Sequence, residues 1–459
     1  MGASDDEFVT VDPVTEEETA RYRFMTGAEV EATLAAGAAA FHGWGELPVE
    51  RRGELVHAAA ATLRRRAPDL AALITREMGK PVGDARAEVE KCAVTLDHFA
   101  EAAPGFLADQ PAPSDSERSF VAFEPLGTVL AVMPWNFPLW QVVRAAAPAL
   151  MAGNTMLLKH AENTTGCALA FAAVLRDAGL PEGVLGVLML PEDRVAGVIQ
   201  DPRVAGVTLT GSDAAGAAVA AAAGAALKKT VLELGGSDAF VVLDDADVEA
   251  AAATAVRSRF QNCGQSCIAA KRLIAVGTVA DAFEEALVAR VRALTVGDPT
   301  DPATQVGPMA RADLRDSLER QLRRSVELGA RVLAGGGRPQ RSGWFFEPTV
   351  LAGCAPGMPA FDEETFGPLA ALTRVPGEEE ALAAANRSAY GLGGNVWTRD
   401  VERGLRFARR MKTGGVFVNG MTHSDARLPF GGIKRSGYGR ELHAFGIREF
   451  VNVKTVWLP

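Results

Sequence analysis

The stretch from residue 127 to residue 233 constrains this chain most. Gly127-Thr-Val-Leu-Ala-Val-Met133 is an apolar run of strand length, and regular alternation follows it. Helical spacing covers 141–151, 164–178 and 211–222, with a shorter helix ending at 199. Short apolar runs cover 155–159, 184–190, 206–210 and 229–233. Parallel neighbours need a crossover of a dozen or more residues, usually a helix. Strands and helices in strict alternation therefore predict a parallel, doubly wound sheet.

The flanks extend this reading. Residues 26–101 are helical in pattern: Val30, Leu34, Ala38 and Phe41 share one face, as do Leu55, Ala59, Leu63 and Leu70, with Pro81 and Gly83 as punctuation. Residues 103–118 are rich in Pro, Ser and Asp and read as a crossing segment. A second alternating set begins near 236. It has helices over 247–260, 280–293, 313–328 and 401–411, and strands over 271–276, 331–333, 345–351, 369–374 and 394–397. The fold class is α/β, with two doubly wound α/β domains. The end, 451–457, alternates like a strand but has no partner nearby in sequence. Such a strand can add to a neighbouring subunit's sheet.

Composition narrows the function. A chain of 459 residues suggests two or three domains. Its net charge of −10 and pI near 5.3 argue against nucleic acid or an anionic membrane as partner. The opening residues lack a basic region followed by an apolar core, and no run approaches the roughly 18 apolar residues of a membrane span. Five cysteines, Cys92, Cys167, Cys263, Cys267 and Cys354, are odd in number and scattered. That fits a reducing cytosol, and a cytoplasmic location is expected. Cys263 and Cys267 have no second ligand pair, so no metal site is expected.

Phe260-Gln-Asn-Cys-Gly-Gln-Ser-Cys267 carries the first chemical candidate. A thiolate is a strong nucleophile, and Cys267 follows small residues in a loop. A lone cysteine is more often a small buried hydrophobe, and Cys263 is read that way. Glu233 ends a strand and precedes Gly235-Gly236, where α/β folds place ligands. Most glutamates are surface or capping groups, but Leu232 and Leu234 suggest partial burial, which would raise its pKa towards that of a general base. Asn136 follows the strand ending at Met133. Its amide can donate to an oxyanion, or cap a helix. Gly211-Ser212-x3-Gly216 opens a helix after a strand, a context for pyrophosphate or merely a turn. Lys159 and Glu162 follow another strand end. A carboxylate there can accept from ribose hydroxyls and repel a 2′-phosphate, which favours NAD, with NADP as the other candidate; a solvated pair is nearly as plain a reading.

Together these stretches resemble the aldehyde dehydrogenase superfamily: Pro134-Trp-Asn-Phe-Pro138, Gly211-Ser212, Glu233-Leu-Gly-Gly236, Gly264-Gln-Ser-Cys267, Glu364-Thr-Phe-Gly-Pro368 and Pro429-Phe-Gly-Gly-Ile-Lys434-x-Ser-Gly437. The resemblance spans nearly the whole chain. It implies a cofactor domain over 1–108 and 126–235, a catalytic domain over 236–445, and an oligomerisation β-extension over 109–125 and 446–459. It implies a homodimer or homotetramer. Carried across, it makes Cys267 the nucleophile, Asn136 and the Cys267 N–H the oxyanion hole, and Glu233 the base for water. Lys159 and Glu162 would hold the adenosine ribose, and Trp135, Gly211 and Ser212 the pyrophosphate region. Glu364 would hold the nicotinamide ribose, with Phe366 near the ring. Leu158-Lys-His-Ala161, Gln261 to Arg272, and Ser424-Asp-Ala-Arg-Leu-Pro-Phe430 are similar to a short succinate-semialdehyde dehydrogenase group. There Arg144 would meet a substrate carboxylate, with Ser424 adding a hydroxyl. The expected reaction is oxidation of succinic semialdehyde through a cysteine thioester. Alternatives are a broad aliphatic or aromatic aldehyde dehydrogenase, a thioester passed to coenzyme A or phosphate, and a homologue without activity.

Overall fold

The computed structural model describes residues 6–459. Its first large sheet has strands in the order Gly437–Tyr438, Lys229–Glu233, Val204–Thr210, Thr128–Met133, Thr155–His160 and Leu185–Val187. All neighbours are parallel except Gly437–Tyr438, which runs antiparallel to Lys229–Glu233. The chain steps outward from Thr128–Met133 to one edge, then returns to build the other side. The winding therefore reverses at Thr128–Met133, and the loops leaving its carboxyl end and that of Val204–Thr210 diverge into a crevice. Every residue of Thr155–His160 is buried, as a parallel strand covered on both faces requires.

The helices Gly27–Glu46, Val49–Arg65, Ala67–Met78 and Val82–Phe106 fill the N-terminal quarter. The first opens on a capping box in which Thr26 accepts from the Glu29 N–H and the Glu29 carboxylate accepts from the Thr26 N–H. Gly79, at φ 74°, ends the third in the left-handed conformation, and Pro81 precedes the fourth. Their apolar faces, including Val56, Leu63, Ile74 and Phe99, share one core with Leu150, Met156 and Phe171 around the first sheet.

A second sheet has the order Arg331–Ala334, Thr349–Ala352, Leu369–Val375, Ala270–Val276, Asp238–Val242, Gly394–Trp397 and Phe417–Val418. Only Arg331–Ala334 is antiparallel to its neighbour. A third sheet joins Val451–Leu458, Arg118–Pro125 and Gln110–Pro111. The terminal strand thus has its partner within the chain, in unbroken antiparallel register from Val451↔Pro125 to Leu458↔Arg118. The partner is remote in sequence, which is why no neighbouring stretch revealed it.

Other departures have local causes. The strand expected over 345–351 is confined to Thr349–Ala352. Pro348 offers no N–H to a ladder, and Phe345 and Phe346 are buried instead. The helix expected from 211 begins at Asp213, because Ser212 is its N-cap and accepts from the Ala215 N–H at 3.2 Å. The strand Asp238–Val242 and the hairpin Glu7–Val11 with Glu18–Arg23 had no counterpart in the sequence reading. No helix among the described residues is long and apolar enough to cross a membrane.

Candidate active site

Cys267 sits at the end of a strained loop. The helix Val248–Phe260 stops, and Asn262 and Cys263 follow at φ 52° and 54°, then Gly264 at φ 70°. Left-handed non-glycine residues cost about 1–3 kcal/mol each, so the surroundings must hold them there. Asn262 does part of this: its amide donates to the Asn136 carbonyl at 2.8 Å and the Gln265 carbonyl at 3.1 Å. Buried Arg259 does the rest, donating to the carbonyls of Gly264 at 3.1 Å, Thr365 at 2.9 Å, Leu369 at 2.6 Å and Gly367. It stitches the cysteine loop to the loop carrying Glu364 and Phe366. A Cβ on Gly264 would strike the Gly367 carbonyl, so close approach as well as φ requires glycine. Cys263 is buried in the core of the second sheet, and burial pushes its thiol up to about 12.

The Cys267 thiol is half-buried. Burial pushes it up to about 11, while Arg144 and Lys271 pull it down, and Glu364 and Glu233 push it further up. Lys271, fully buried four residues on, donates to the Cys267 carbonyl at 2.8 Å, the Gly236 carbonyl at 2.6 Å and the Glu364 carboxylate at 2.8 Å. Glu364 also accepts from the Gly236 N–H at 3.0 Å. One ammonium thereby ties together the ends of three motifs that are far apart in sequence.

Asn136 follows the central strand, and its Nδ2 donates to the Gln265 carbonyl at 3.1 Å. An amide nitrogen carries two protons, so one remains for another acceptor. Asn136 is not a helix cap. The next helix is Trp140–Met151, and Glu88 accepts from the Leu139 and Trp140 N–H groups at 2.9 and 3.0 Å. Glu88 is in turn ion-paired with Lys80, which donates to the Asn136 carbonyl at 3.0 Å and lies 3.8 Å from the centre of the Phe137 ring. Lys80 and Glu88 gave no mark in the sequence, since a lysine in a turn between helices and a glutamate on the next helix usually face solvent.

Glu233 ends its strand 2% exposed, with neither carboxylate oxygen hydrogen-bonded. Its neighbours are Glu441, Arg144 and Arg440. Burial foremost, then the Glu441 charge, holds Glu233 well above the usual carboxylate range; Glu441 is raised by burial too, against the pull of Arg144. Glu441 gave no signal in the sequence. It lies in a loop beyond the last motif and reaches the site only through the fold.

A cavity of about 970 Å³ opens onto Cys267, and Arg144, Lys91, Gln261, Ser424 and Phe430 line it. Arg144 is 2% exposed and already engaged: its Nε is ion-paired with Glu441, and its Nη2 donates to Thr210 at 3.2 Å. Its guanidinium lies 4.6 Å from the Phe430 ring centre. Ser424 accepts from Lys91 at 2.7 Å.

The crevice at the winding reversal carries the remaining candidates. Lys159 is buried at the end of Thr155–His160, and Glu162 begins the turn Glu162–Thr164. The buried Asn163 amide nitrogen beside it has no partner. Gly211 and Ser212 lie at the start of the helix Asp213–Ala225, and a Cβ on Gly216 would meet Leu234 at 2.5 Å, so glycine lets helix and strand approach closely. Asp213 in the first turn is ion-paired with Arg435. Trp135 meets Phe366 edge to face, ring centres 5.7 Å apart. An unpartnered buried amide, a carboxylate just past a strand end and a tightly packed helix N-terminus fit a dinucleotide.

The chain belongs to the aldehyde dehydrogenase family, whose model matches residues 1–456. It is 48% identical to the succinate semialdehyde dehydrogenase [NAD(P)+] Sad of Escherichia coli K12, covering 98% of this chain and 97% of that one. It is 47% identical to succinate-semialdehyde dehydrogenase [NADP(+)] 1 of Mycobacterium tuberculosis H37Rv, covering 98% and 99%. Among solved structures it resembles succinic semialdehyde dehydrogenase from Streptococcus pyogenes in complex with NADP+, with TM-score 0.96, 38% identity, and 98% and 100% coverage.

Proposed function

We propose that this chain oxidises succinic semialdehyde to succinate, with NAD as its preferred acceptor and water as the acceptor of the acyl group. The observation that carries the reading is that Cys267 opens onto the cavity, with the Asn136 amide bonded to its loop at the Gln265 carbonyl and buried Glu233 close enough for its charge to act on the thiol. The Cys267 sulfur adds to the aldehyde carbon as its proton leaves. The Asn136 amide and the Cys267 N–H receive the oxygen; losing one such donor typically costs about 3–4 kcal/mol of barrier. A dinucleotide held in the crevice would supply the hydride acceptor, and loss of hydride from the adduct leaves a thioester on Cys267. Glu233 then takes a proton from water, which attacks the thioester and frees the thiol. Arg144, which lines the cavity, would orient the substrate carboxylate, with Ser424 adding a hydroxyl, and its charge also holds Glu441, faces Glu233 and favours the thiolate. Lys159 and Glu162 would hold the adenosine ribose, Trp135, Gly211 and Ser212 the pyrophosphate region, and Glu364 with Phe366 the nicotinamide end.

Cofactor choice turns on Glu162, whose carboxylate accepts from ribose hydroxyls and repels a 2′-phosphate. An aldehyde panel run with NAD and NADP in parallel tests both points. Succinic semialdehyde is expected to exceed hexanal in kcat/KM by at least about tenfold, since a site built for a polar group rejects analogues lacking it, and NAD to exceed NADP. Equal rates for the two aldehydes would favour a broad aldehyde dehydrogenase, and an NADP preference would overturn the Glu162 role.

The chain works as a homo-oligomer joined through its third sheet. Val453 and Trp457 on Val451–Leu458 are more than half exposed, and exposed apolar side chains on an edge strand mark a pairing surface. Light scattering is expected to give a dimer or tetramer; a monomer at micromolar concentration would refute this.

A further inference from the structure

Asn136 lies between the strand Thr128–Met133 and the helix Trp140–Met151. No sheet ladder fixes its backbone there, and the first N–H groups of the helix have no intrahelical partner. Two buried ionic side chains supply what is missing. Lys80, in the turn before the helix Val82–Phe106, donates to the Asn136 carbonyl at 3.0 Å and stands 3.8 Å from the centre of the Phe137 ring. Glu88, on that helix, accepts from the Leu139 and Trp140 N–H groups with one oxygen and from Lys80 with the other. Lys80 is 1% exposed and Glu88 3%. Asp84, one turn earlier on the same helical face, accepts from the Asn262 N–H at 3.2 Å. Asn262 donates in turn to the carbonyls of Asn136 and Gln265, and the Gln265 side-chain oxygen accepts from the Ala310 N–H at 2.9 Å. The start of one helix therefore braces both the loop that carries the Asn136 amide and the loop whose carbonyl receives one of its protons.

We propose that the Lys80–Glu88 pair positions the Asn136 amide for the oxyanion, and that it serves rate more than stability. A buried ion pair loses so much hydration that well-packed apolar side chains of the same volume are often as stable. What this pair adds is direction, because its hydrogen bonds beyond the pair itself end on Asn136, Leu139 and Trp140. The Asn136 Nδ2 spends one proton on the Gln265 carbonyl at 3.1 Å. The other reaches an oxygen on the Cys267 adduct only while the Asn136 backbone keeps its distance from the cysteine loop. Lys80 holds that backbone through the same carbonyl as Asn262. An oxyanion donor acts over a few tenths of an ångström, so a small drift weakens it without unfolding the chain. Lys80 and Glu88 do not touch the reacting atoms; they are positioning residues.

This rests on Asn136 as the oxyanion donor, and a mutant cycle tests the two separately. Wild type, N136A, K80M/E88Q and the triple variant are mixed rapidly with saturating NAD and succinic semialdehyde, and the burst of reduced cofactor is followed. K80M/E88Q removes both charges together and leaves neither unpaired in the core, so its thermal midpoint is expected to stay near that of wild type. N136A is expected to slow the burst by roughly 10²–10³ and K80M/E88Q by at least about tenfold. In K80M/E88Q the Kd for NAD and the KM for the aldehyde are expected to stay within about twofold of wild type, the mark of an interaction made only in the transition state. Because the pair acts through Asn136, the triple variant is expected to match N136A within about twofold, whereas a merely structural pair would slow it by the product of the two factors. A wild-type burst in K80M/E88Q, or a triple variant slowed by that product, overturns the positioning role. If N136A itself keeps the wild-type burst, the oxyanion reading fails and the positioning role fails with it. If K80M/E88Q does not fold, E88Q goes through the same cycle under the same criteria, since it keeps an acceptor for the Leu139 and Trp140 N–H groups and removes the charge that orients Lys80.

Discussion

Cys267→Ala is expected to lose aldehyde-dependent reduction of the dinucleotide by a factor of roughly 10⁴ or more, since removing a covalent nucleophile leaves only binding and oxyanion stabilisation. No other thiol can stand in. Cys263 is nearest in sequence, but it is buried in the second core with its thiol pushed up to about 12. Cys92 and Cys167 are buried in the first core and Cys354 in the second. Steady-state absorbance of the reduced cofactor measures the loss, with thermal unfolding as a check that the fold survives. Retained turnover with a folded protein would remove Cys267 from the reaction.

Glu233→Gln is expected to separate the two halves of the reaction. The amide keeps the volume of the side chain but cannot accept a proton from water. Rapid mixing should show a burst of reduced cofactor, then a steady state slower by roughly 10²–10⁴, the usual contribution of a general base. In the wild-type protein the pH dependence has a definite sign. Burial and Glu441 raise the Glu233 pKa, so at low pH the carboxyl is protonated and cannot act as a base. Turnover should therefore climb with pH across the neutral to alkaline range, not near the pH 4–5 of an ordinary carboxylate. The Cys267 thiol, pushed up to about 11, works in the same direction on the first step. An undiminished steady state in the Gln variant, or a wild-type limb near pH 4–5, would count against Glu233 as the base.

Much of the architecture was legible in the sequence because its marks are local. The strand Lys229–Glu233 and the helix Val248–Phe260 fall within a residue of the expected bounds. The missed elements lacked a periodic mark. Asp238–Val242 is a buried strand of five residues directly after the Gly235-Gly236 turn. Gly437–Tyr438 is too short for a pattern, and it carries a piece of chain from beyond the second sheet back to the first.

The amino-acid order by itself determined the α/β alternation, the amide and carboxylate that follow strand ends, and the thiol in the loop after a helix. Periodicity and turn chemistry act over a few residues, and a single chain displays them openly. The tertiary structure alone decided how the charges are spent. It gave Arg144 to Glu441, set Lys271 between the Cys267 carbonyl and Glu364, and brought Lys91 to Ser424, 333 residues away in sequence. Desolvation and ion pairing depend on distance in space and on what excludes water, and neither quantity exists until the chain is folded.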